Sequence, residues 1–132
     1  MGLALFWLTP TLRFAFPGQQ IAGVILALVG FVIAATAIRL FLARGTTPEP
    51  SGTPTVLVTS GPYRFTRNPM YLSMLLILLG IALFAGSVAL LIAPIAFFLI
   101  INARQIPFEE ARLTTLFGAE YAAFRRRTRR WL

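Results

Sequence analysis

The chain contains no cysteine and no histidine. The missing cysteines exclude disulfides, zinc sites built on thiolates and a cysteine nucleophile. The missing histidines remove the commonest general base and the commonest metal ligand. Acidic residues are scarce too, because four glutamates stand against 12 basic residues, and every basic residue is an arginine.

Long apolar runs dominate the rest of the chain. Hydrophobic residues make up 58% of the 132 residues, and charged residues only 12%. This length predicts a single domain over residues 1–132, and a soluble domain of that size cannot hide so much apolar surface. The composition therefore predicts an all-α integral membrane protein. Membrane topology also explains the net charge of +8 better than nucleic-acid binding does.

Three apolar runs are candidates for transmembrane helices: residues 20–42, 69–85 and 87–103. At about 1.5 Å per residue, the first is long enough to cross a hydrocarbon core of about 30 Å. The other two are expected to form a tight helical hairpin around Gly86–Ser87. Pro94 predicts a tolerable kink in its second arm.

The remaining segments are polar or interrupted. Residues 1–18 are broken by prolines and are expected to form a partial or interfacial helix. Residues 43–60 predict a loop with one short extended piece at TVLV. Residues 104–132 predict short helices, the first with Pro107 in its first turn and Gly118 as its stop. With three spans, only Arg13 lies on one side, and the positive-inside rule makes the other side cytoplasmic.

The junction GPYRFTRNPMYL, residues 61–72, predicts a helix start. Proline pushes the preceding residue out of the helical region, asparagine is a good N-cap, and proline suits the first helical position. The helix is therefore expected to begin at Asn68–Pro69. Gly61 and Pro62 predict a turn that allows close backbone approach.

Charged and aromatic groups surround this helix start. Free backbone N–H groups at a helix N-terminus form an anion site, and Arg64 and Arg67 add positive charge beside it. Tyr63 and Tyr71 add ring faces and hydroxyls. The alternative is a plain membrane-interface belt, in which arginines and tyrosines anchor a span at headgroup level.

Two adjacent carboxylates, Glu109 and Glu110, lie on the apolar side of a predicted helix beside Leu113. A carboxylate on a packing face needs a partner, and Arg104 is a candidate. The alternative is that both glutamates simply complement the helix dipole. A basic helix start, aromatic rings and two carboxylates suit a ligand with a carboxylate, hydroxyls, a flat base and a positive centre. S-adenosylmethionine has all four.

The segments LVTSGPYRFTRNPMYLS, EEARLTTLFGAEYAAF and RRWL, in this order around a helical hairpin, resemble the isoprenylcysteine carboxyl methyltransferase and phospholipid methyltransferase family of integral membrane enzymes. The likeness covers roughly residues 45–132. It implies an S-adenosylmethionine-dependent methyltransferase without a metal, whose pocket helices lie within residues 104–132. The cofactor-binding residues it implies are Gly61, Pro62, Tyr63, Arg64, Arg67, Asn68, Pro69, Tyr71, Glu109 and Glu110. Arg104, with Glu109, matches the family's residues near the reacting centre.

The chain departs from the family pattern in three places. Asn68 replaces the usual histidine, which makes acid–base work there unlikely, and Ser73 replaces a usual glycine. Other members carry a further full span before residue 20. The sequence looks bacterial, which implies an inner-membrane enzyme with a cytoplasmic site and a lipid or small hydrophobic acceptor.

The sequence leaves two other functions open. A membrane reductase resembling the steroid 5α-reductase group has a related helical layout, but it would need a nicotinamide pocket, and the sequence has no recognisable phosphate-binding glycine loop. A non-enzymatic membrane module is the other, with the tail RRRTRRW on anionic membrane lipids. Within that tail, Arg130 is the one residue expected to close the pocket.

Overall fold

The computed structural model describes residues 13–45 and 57–132, and this part of the chain is helical without a strand. The helices are α1 (Gln19–Ala43), a 3-10 turn (Gly61–Arg64), α2 (Pro69–Ala85), α3 (Ile92–Ile100), α4 (Ile106–Phe117) and α5 (Ala119–Arg127). A 3-10 turn at Ala89–Leu91 precedes α3, and a π-helical segment at Ile101–Gln105 joins α3 to α4. The predicted all-α class is confirmed.

In the described part of the chain, two helices are long and apolar enough to cross a membrane. They are α1, with 25 residues, and the continuous helix Ala89–Phe117, with 29. Only 17% and 22% of their most apolar windows are buried inside the protein, whereas the core helix of a soluble protein is mostly buried. Their outward faces therefore suit lipid. The apolar helix α2 has 17 residues, so the predicted count of three spans stays a prediction.

Helices α1 and α2 pack through small residues that let their backbones touch. A Cβ atom on Gly80 would lie 2.6 Å from the carbonyl oxygen of Gly23, and one on Gly30 would lie 2.7 Å from that of Ser73. The main helix pairing is α1 with α2. The predicted hairpin of residues 69–85 with residues 87–103 stays a prediction, and the small residues of α2 face α1 rather than the second arm of that hairpin.

The predicted bounds hold for the first two helices and fail for the third. Gly86, in the left-handed region with φ 65°, ends α2 as expected. The next helix begins at Ala89 and continues to Phe117, so no break separates the predicted span 87–103 from the first polar helix. Pro107 follows the π-helical segment, where a wider turn tolerates its missing N–H.

Two further predictions concern proline and glycine. Pro94 lies inside the continuous helix Ala89–Phe117, shortly after its 3-10 turn, and the tolerable kink expected there stays a prediction. Gly118, with φ 50°, separates α4 from α5 and confirms the predicted stop.

The predicted helix over residues 1–18 and the extended piece at TVLV fall largely outside the described residues. The described end of the first segment, residues 13–18, is not helical. There the backbone N–H of Phe14 donates to the carbonyl of Gly86 at 2.9 Å. The guanidinium of Arg13 donates to the carbonyl of Ala85 at 3.2 Å. This segment therefore packs at the C-terminal end of α2, the opposite end from the polar junction.

Candidate functional site

A buried cluster fixes the end of the bundle that carries the junction, called here the junction end. Ala37 near the end of α1, Val58, Tyr63, Tyr121 and Phe124 form its core. The cluster joins α1, the 3-10 turn and α5. The residues that precede α2 are therefore held against the ends of other helices rather than left as a solvated loop.

The first part of the junction is a tight turn under α1. Gly61 has φ 61°, and a Cβ atom there would lie 2.6 Å from Cδ1 of Leu40, so glycine suits both the backbone and the space. The ring of Tyr63 meets the ring of Phe41 edge to face at 5.7 Å. Burial raises the pKa of the Tyr63 hydroxyl well above its ordinary value, and the nearby Glu109 carboxylate adds to the rise. Tyr63 is therefore a neutral phenol close to Glu109.

Glu110 is held by two arginines from distant parts of the chain. Arg67 donates from Nη1 to Oε2 at 2.8 Å, and Arg130 donates from Nη2 to Oε1 at 2.5 Å. The side chain of Glu110 is 8% exposed, that of Arg67 10% and that of Arg130 28%. Burial raises the pKa of Tyr121, with Glu110 adding to the rise and Arg67 opposing it. Glu110 is thus the buried centre of an ion-pair clamp.

Glu109 has a different environment, because its partners are neutral. The hydroxyl of Tyr71 and Nε2 of Gln105 both donate to Oε1 of Glu109, the second at 3.0 Å. Gln105 ends the π-helical segment, one turn before Glu109. Among the described residues, Oε2 of Glu109 has no hydrogen-bond donor. Glu109 therefore offers one oriented carboxylate oxygen for a ligand.

Residues 128–131, called here the C-terminal strap, run along the start of α2. The backbone N–H of Arg67 donates to the carbonyl of Arg129 at 2.8 Å. The side-chain Nδ2 of Asn68 donates to the carbonyl of Arg130 at 2.9 Å. Asn68 therefore lies at the predicted N-cap position, with φ −132°, but its side chain does not cap the helix. Its amide binds the strap instead.

The strap is also fastened to the long helix. Nη1 of Arg130 donates to Oδ1 of Asn102 at 3.1 Å, and Nε1 of Trp131 donates to the same oxygen at 3.0 Å. The Trp131 ring packs on Phe98 with 5.0 Å between centroids. Asn102 thus links the end of the chain to the apolar helix on which Glu109 and Glu110 also lie.

Two buried polar atoms at the junction lack a partner in the described part of the chain: Nε of Arg67 and Oγ of Ser60. Such atoms are costly unless a water or a ligand satisfies them. The first turn of α2 adds backbone N–H groups that have no intrahelical acceptor. The hydrogen-bond donors at the junction therefore suit an anionic group of a ligand, and the carboxylate of Glu109 suits ligand hydroxyls or a positively charged group.

The comparisons with known proteins decide the family. The family model for phospholipid methyltransferase matches residues 19–120. The chain belongs to the phospholipid methyltransferase family. An uncharacterized protein of Haemophilus influenzae is 46% identical over 63 residues, which cover 48% of this chain and all of that protein. No solved structure gives a significant match.

Membership of the phospholipid methyltransferase family confirms the resemblance and implies methyltransferase activity on a lipid-type substrate. The predicted site residues that the structure brings together at the junction end are Gly61, Pro62, Tyr63, Arg67, Asn68, Pro69, Tyr71, Glu109 and Glu110. Arg64 and Arg104 are exposed instead. The expected pairing of Arg104 with a glutamate is wrong in the described structure, because Arg67 and Arg130 take that role at Glu110.

Several residues that hold the junction end together are absent from the predicted set of site residues. Gln105 orients Glu109, Asn102 receives the strap, and Thr66 donates to the carbonyl of Arg130 at 3.1 Å. The signal for Gln105 was its position four residues before Glu109, where two helical side chains meet. Asn102, an amide inside an apolar run, was a similar signal.

Proposed function

We propose that this phospholipid methyltransferase homologue transfers a methyl group from S-adenosylmethionine to a lipid or small hydrophobic acceptor at the cytoplasmic face of a bacterial inner membrane. The observation that carries the proposal is the carboxylate of Glu109, oriented by Tyr71 and Gln105 beside the buried phenol of Tyr63. The cytoplasmic face is favoured because all arginines but Arg13 fall on the junction side if three spans are present.

The donor set at the junction fits the cofactor. Arg67, with an unpartnered buried Nε, and the first-turn N–H groups of α2 would hold its carboxylate. Glu109 would accept ribose hydroxyls or face the positive centre, and Tyr63 and Tyr71 would pack on its flat or cationic parts. Of the two glutamates, Glu109 is favoured for direct contact because both oxygens of Glu110 already receive arginine donors.

The remaining predicted cofactor residues take supporting parts in this proposal. Gly61 and Pro62 shape the turn that places Tyr63, and Pro69 starts the helix whose first-turn N–H groups would hold the cofactor's carboxylate. Asn68 holds the C-terminal strap, and Arg64, being exposed, would contribute long-range positive charge.

Acceptor access is expected from the lipid side of the long helix. Leu99 and Ile100 are each 59% exposed there, and exposed Arg104 follows Ile100 by one helical turn. An arginine at that place binds the polar end of an amphipathic molecule whose apolar part lies along the helix. Arg104 is therefore proposed to orient the acceptor.

When bound, the cofactor supplies an electrophilic methyl group on a sulfonium. The chain then has to position the acceptor and keep water out, and it needs no proton-transfer residue at the reacting carbon. This requirement is consistent with a site made of arginine, tyrosine, glutamine and carboxylate.

The proposal is tested by transfer of labelled methyl from S-adenosylmethionine, with purified protein in lipid nanodiscs and extracted bacterial lipids as acceptors. We expect label in the organic phase, and Arg104→Ala should abolish it while cofactor affinity stays within about twofold, since acceptor orientation is a separate task. Lysine at position 104 is the matched control and should retain part of the activity. Equal loss of turnover and cofactor binding in Arg104→Ala would contradict its assigned role.

The same experiment separates the alternatives. A non-enzymatic membrane module would bind no cofactor. A reductase would bind a nicotinamide nucleotide and transfer no label. Either result from a well-folded preparation would overturn the proposed activity.

A further inference from the structure

The proposed methyl transfer leaves a group of arginines at the end of the chain unused. Arg125, Arg126, Arg127 and Arg129 are all exposed. In the described part of the chain none of them forms an ion pair with a carboxylate, and Glu120 lies at the other end of α5. The guanidinium of Arg127 lies 5.7 Å from the centre of the Phe124 ring. These four arginines are called here the tail patch.

The inner face of α5 sets the depth of the tail patch. Tyr121 and Phe124 of α5 are buried in the same cluster as Ala37, and Phe41 packs against that cluster. Ala37 and Phe41 lie in the last turns of the apolar helix α1. Because α5 lies against the end of a membrane-length helix, its outer face lies near the level of the lipid headgroups. The arginine side chains are long enough to reach them.

The residues after α5 give a second, independent indication of depth. Trp131 packs on Phe98 within the apolar helix α3 and donates to Asn102. Tryptophan with one polar bond and an apolar ring face is typical of the membrane interface. Leu132 and Phe65 are 70% and 71% exposed, which adds apolar side chains beside the same segment.

We propose that the tail patch is a docking surface for anionic lipid headgroups. Its positive charge complements the negative surface of a bacterial membrane, and its position is continuous with the membrane faces of α1 and α3. Anionic lipids gain affinity for each arginine close to the surface. By binding such lipids, the patch would also hold the C-terminal strap, and with it Arg130, in place.

Tryptophan fluorescence can report which lipids lie next to the tail patch in the intact protein. The chain has two, and Trp7→Phe leaves Trp131 as the single fluorophore next to the tail patch. Brominated lipids quench a nearby tryptophan. Two vesicle samples are prepared, each with equal fractions of anionic and zwitterionic lipid. The anionic lipid is brominated in one sample and the zwitterionic lipid in the other. We expect the brominated anionic lipid to quench Trp131 about twofold more strongly than the brominated zwitterionic lipid.

Charge variants assign the effect to the patch. Arg125→Gln, Arg126→Gln and Arg129→Gln together should bring the two quenching values to about the same level, because lipid selection depends on charge. The same three positions changed to lysine keep the charge and should retain the preference. Arg127 is left in place because it packs on Phe124.

Three outcomes would overturn the proposal. Equal quenching by both lipids in the Trp7→Phe protein means that the patch selects no anionic lipid. An unchanged preference in the glutamine variant places the selection elsewhere. Capture of a labelled oligonucleotide at physiological salt, together with equal quenching, would assign the patch to nucleic acid.

Discussion

The ion-pair clamp at Glu110 gives the sharpest prediction for stability. In Glu110→Gln, the amide oxygen can still accept from one arginine, but the amide NH2 group then meets the other guanidinium. Arg67, only 10% exposed, loses its charge partner while its Nε already lacks an acceptor. Removing one member of a buried ion pair costs roughly 3 kcal/mol. For a chain of this size that corresponds to a fall in Tm of about 10 °C.

The assay is thermal unfolding of the purified variants in one detergent, followed by circular dichroism. Arg130→Ala should cost less, about 1 kcal/mol, because Arg130 is 28% exposed and its loss leaves Glu110 paired with Arg67. Glu109→Gln is the matched control, because the same change removes no arginine partner, and its Tm should fall little. If Glu110→Gln unfolds at nearly the native temperature, or if Arg130→Ala unfolds at a lower temperature than Glu110→Gln, the ion-pair clamp is not what stabilises the site.

Three further predictions concern packing, the strap and pH. Gly80→Ala puts a Cβ 2.6 Å from a backbone oxygen of α1 and should lower Tm by several degrees, whereas Ala35→Val on the exposed side should not. Asn68→Ala removes the 2.9 Å hydrogen bond to the strap and should speed tryptic cleavage among the tail arginines several-fold, with secondary structure unchanged by circular dichroism. Because folding raises the pKa of Tyr63, the unfolded chain loses that proton first as pH rises, so stability should fall above about pH 10. Tyr63→Phe should make the free energy of unfolding fall less steeply with pH above about pH 10, and an unchanged slope would contradict the burial of the Tyr63 hydroxyl.

Helix α1 and the start of α2 could be predicted from the sequence because their signals are local. Hydropathy sets the bounds of α1, and the local sequence of Asn68 followed by Pro69 sets the start of α2. Gly86 and Gly118 likewise end helices through their own backbone freedom. These features need no knowledge of distant contacts.

The partners of the glutamates could not be predicted, because they depend on tertiary structure. Arg67 and Arg130 lie 43 and 20 residues from Glu110, whereas Arg104 is near in sequence but exposed. Spacing alone favoured the near arginine. The hydrogen bond of Asn68 to the strap was hidden in the same way, because capping propensity describes only the local alternative.

The continuous helix Ala89–Phe117 shows a limit of composition as a boundary signal. Polarity rises after residue 103, and a separate helix was expected there. The π-helical segment Ile101–Gln105 carries the helix across the change and accommodates Pro107. It also places Gln105 one turn before Glu109, so one continuous helix carries both the apolar segment and the carboxylate.

Glu109 is proposed to belong to a cofactor site, and a single titration can decide whether it does. S-adenosylhomocysteine is titrated by calorimetry into native protein, Glu109→Gln and Arg104→Ala, each shown to be folded by its unfolding curve. We expect saturable binding to the native protein and to Arg104→Ala, and at least about a tenfold weaker affinity in Glu109→Gln, because a carboxylate acceptor is lost. No binding by the folded native protein, or equal affinity in Glu109→Gln, would contradict the proposed site.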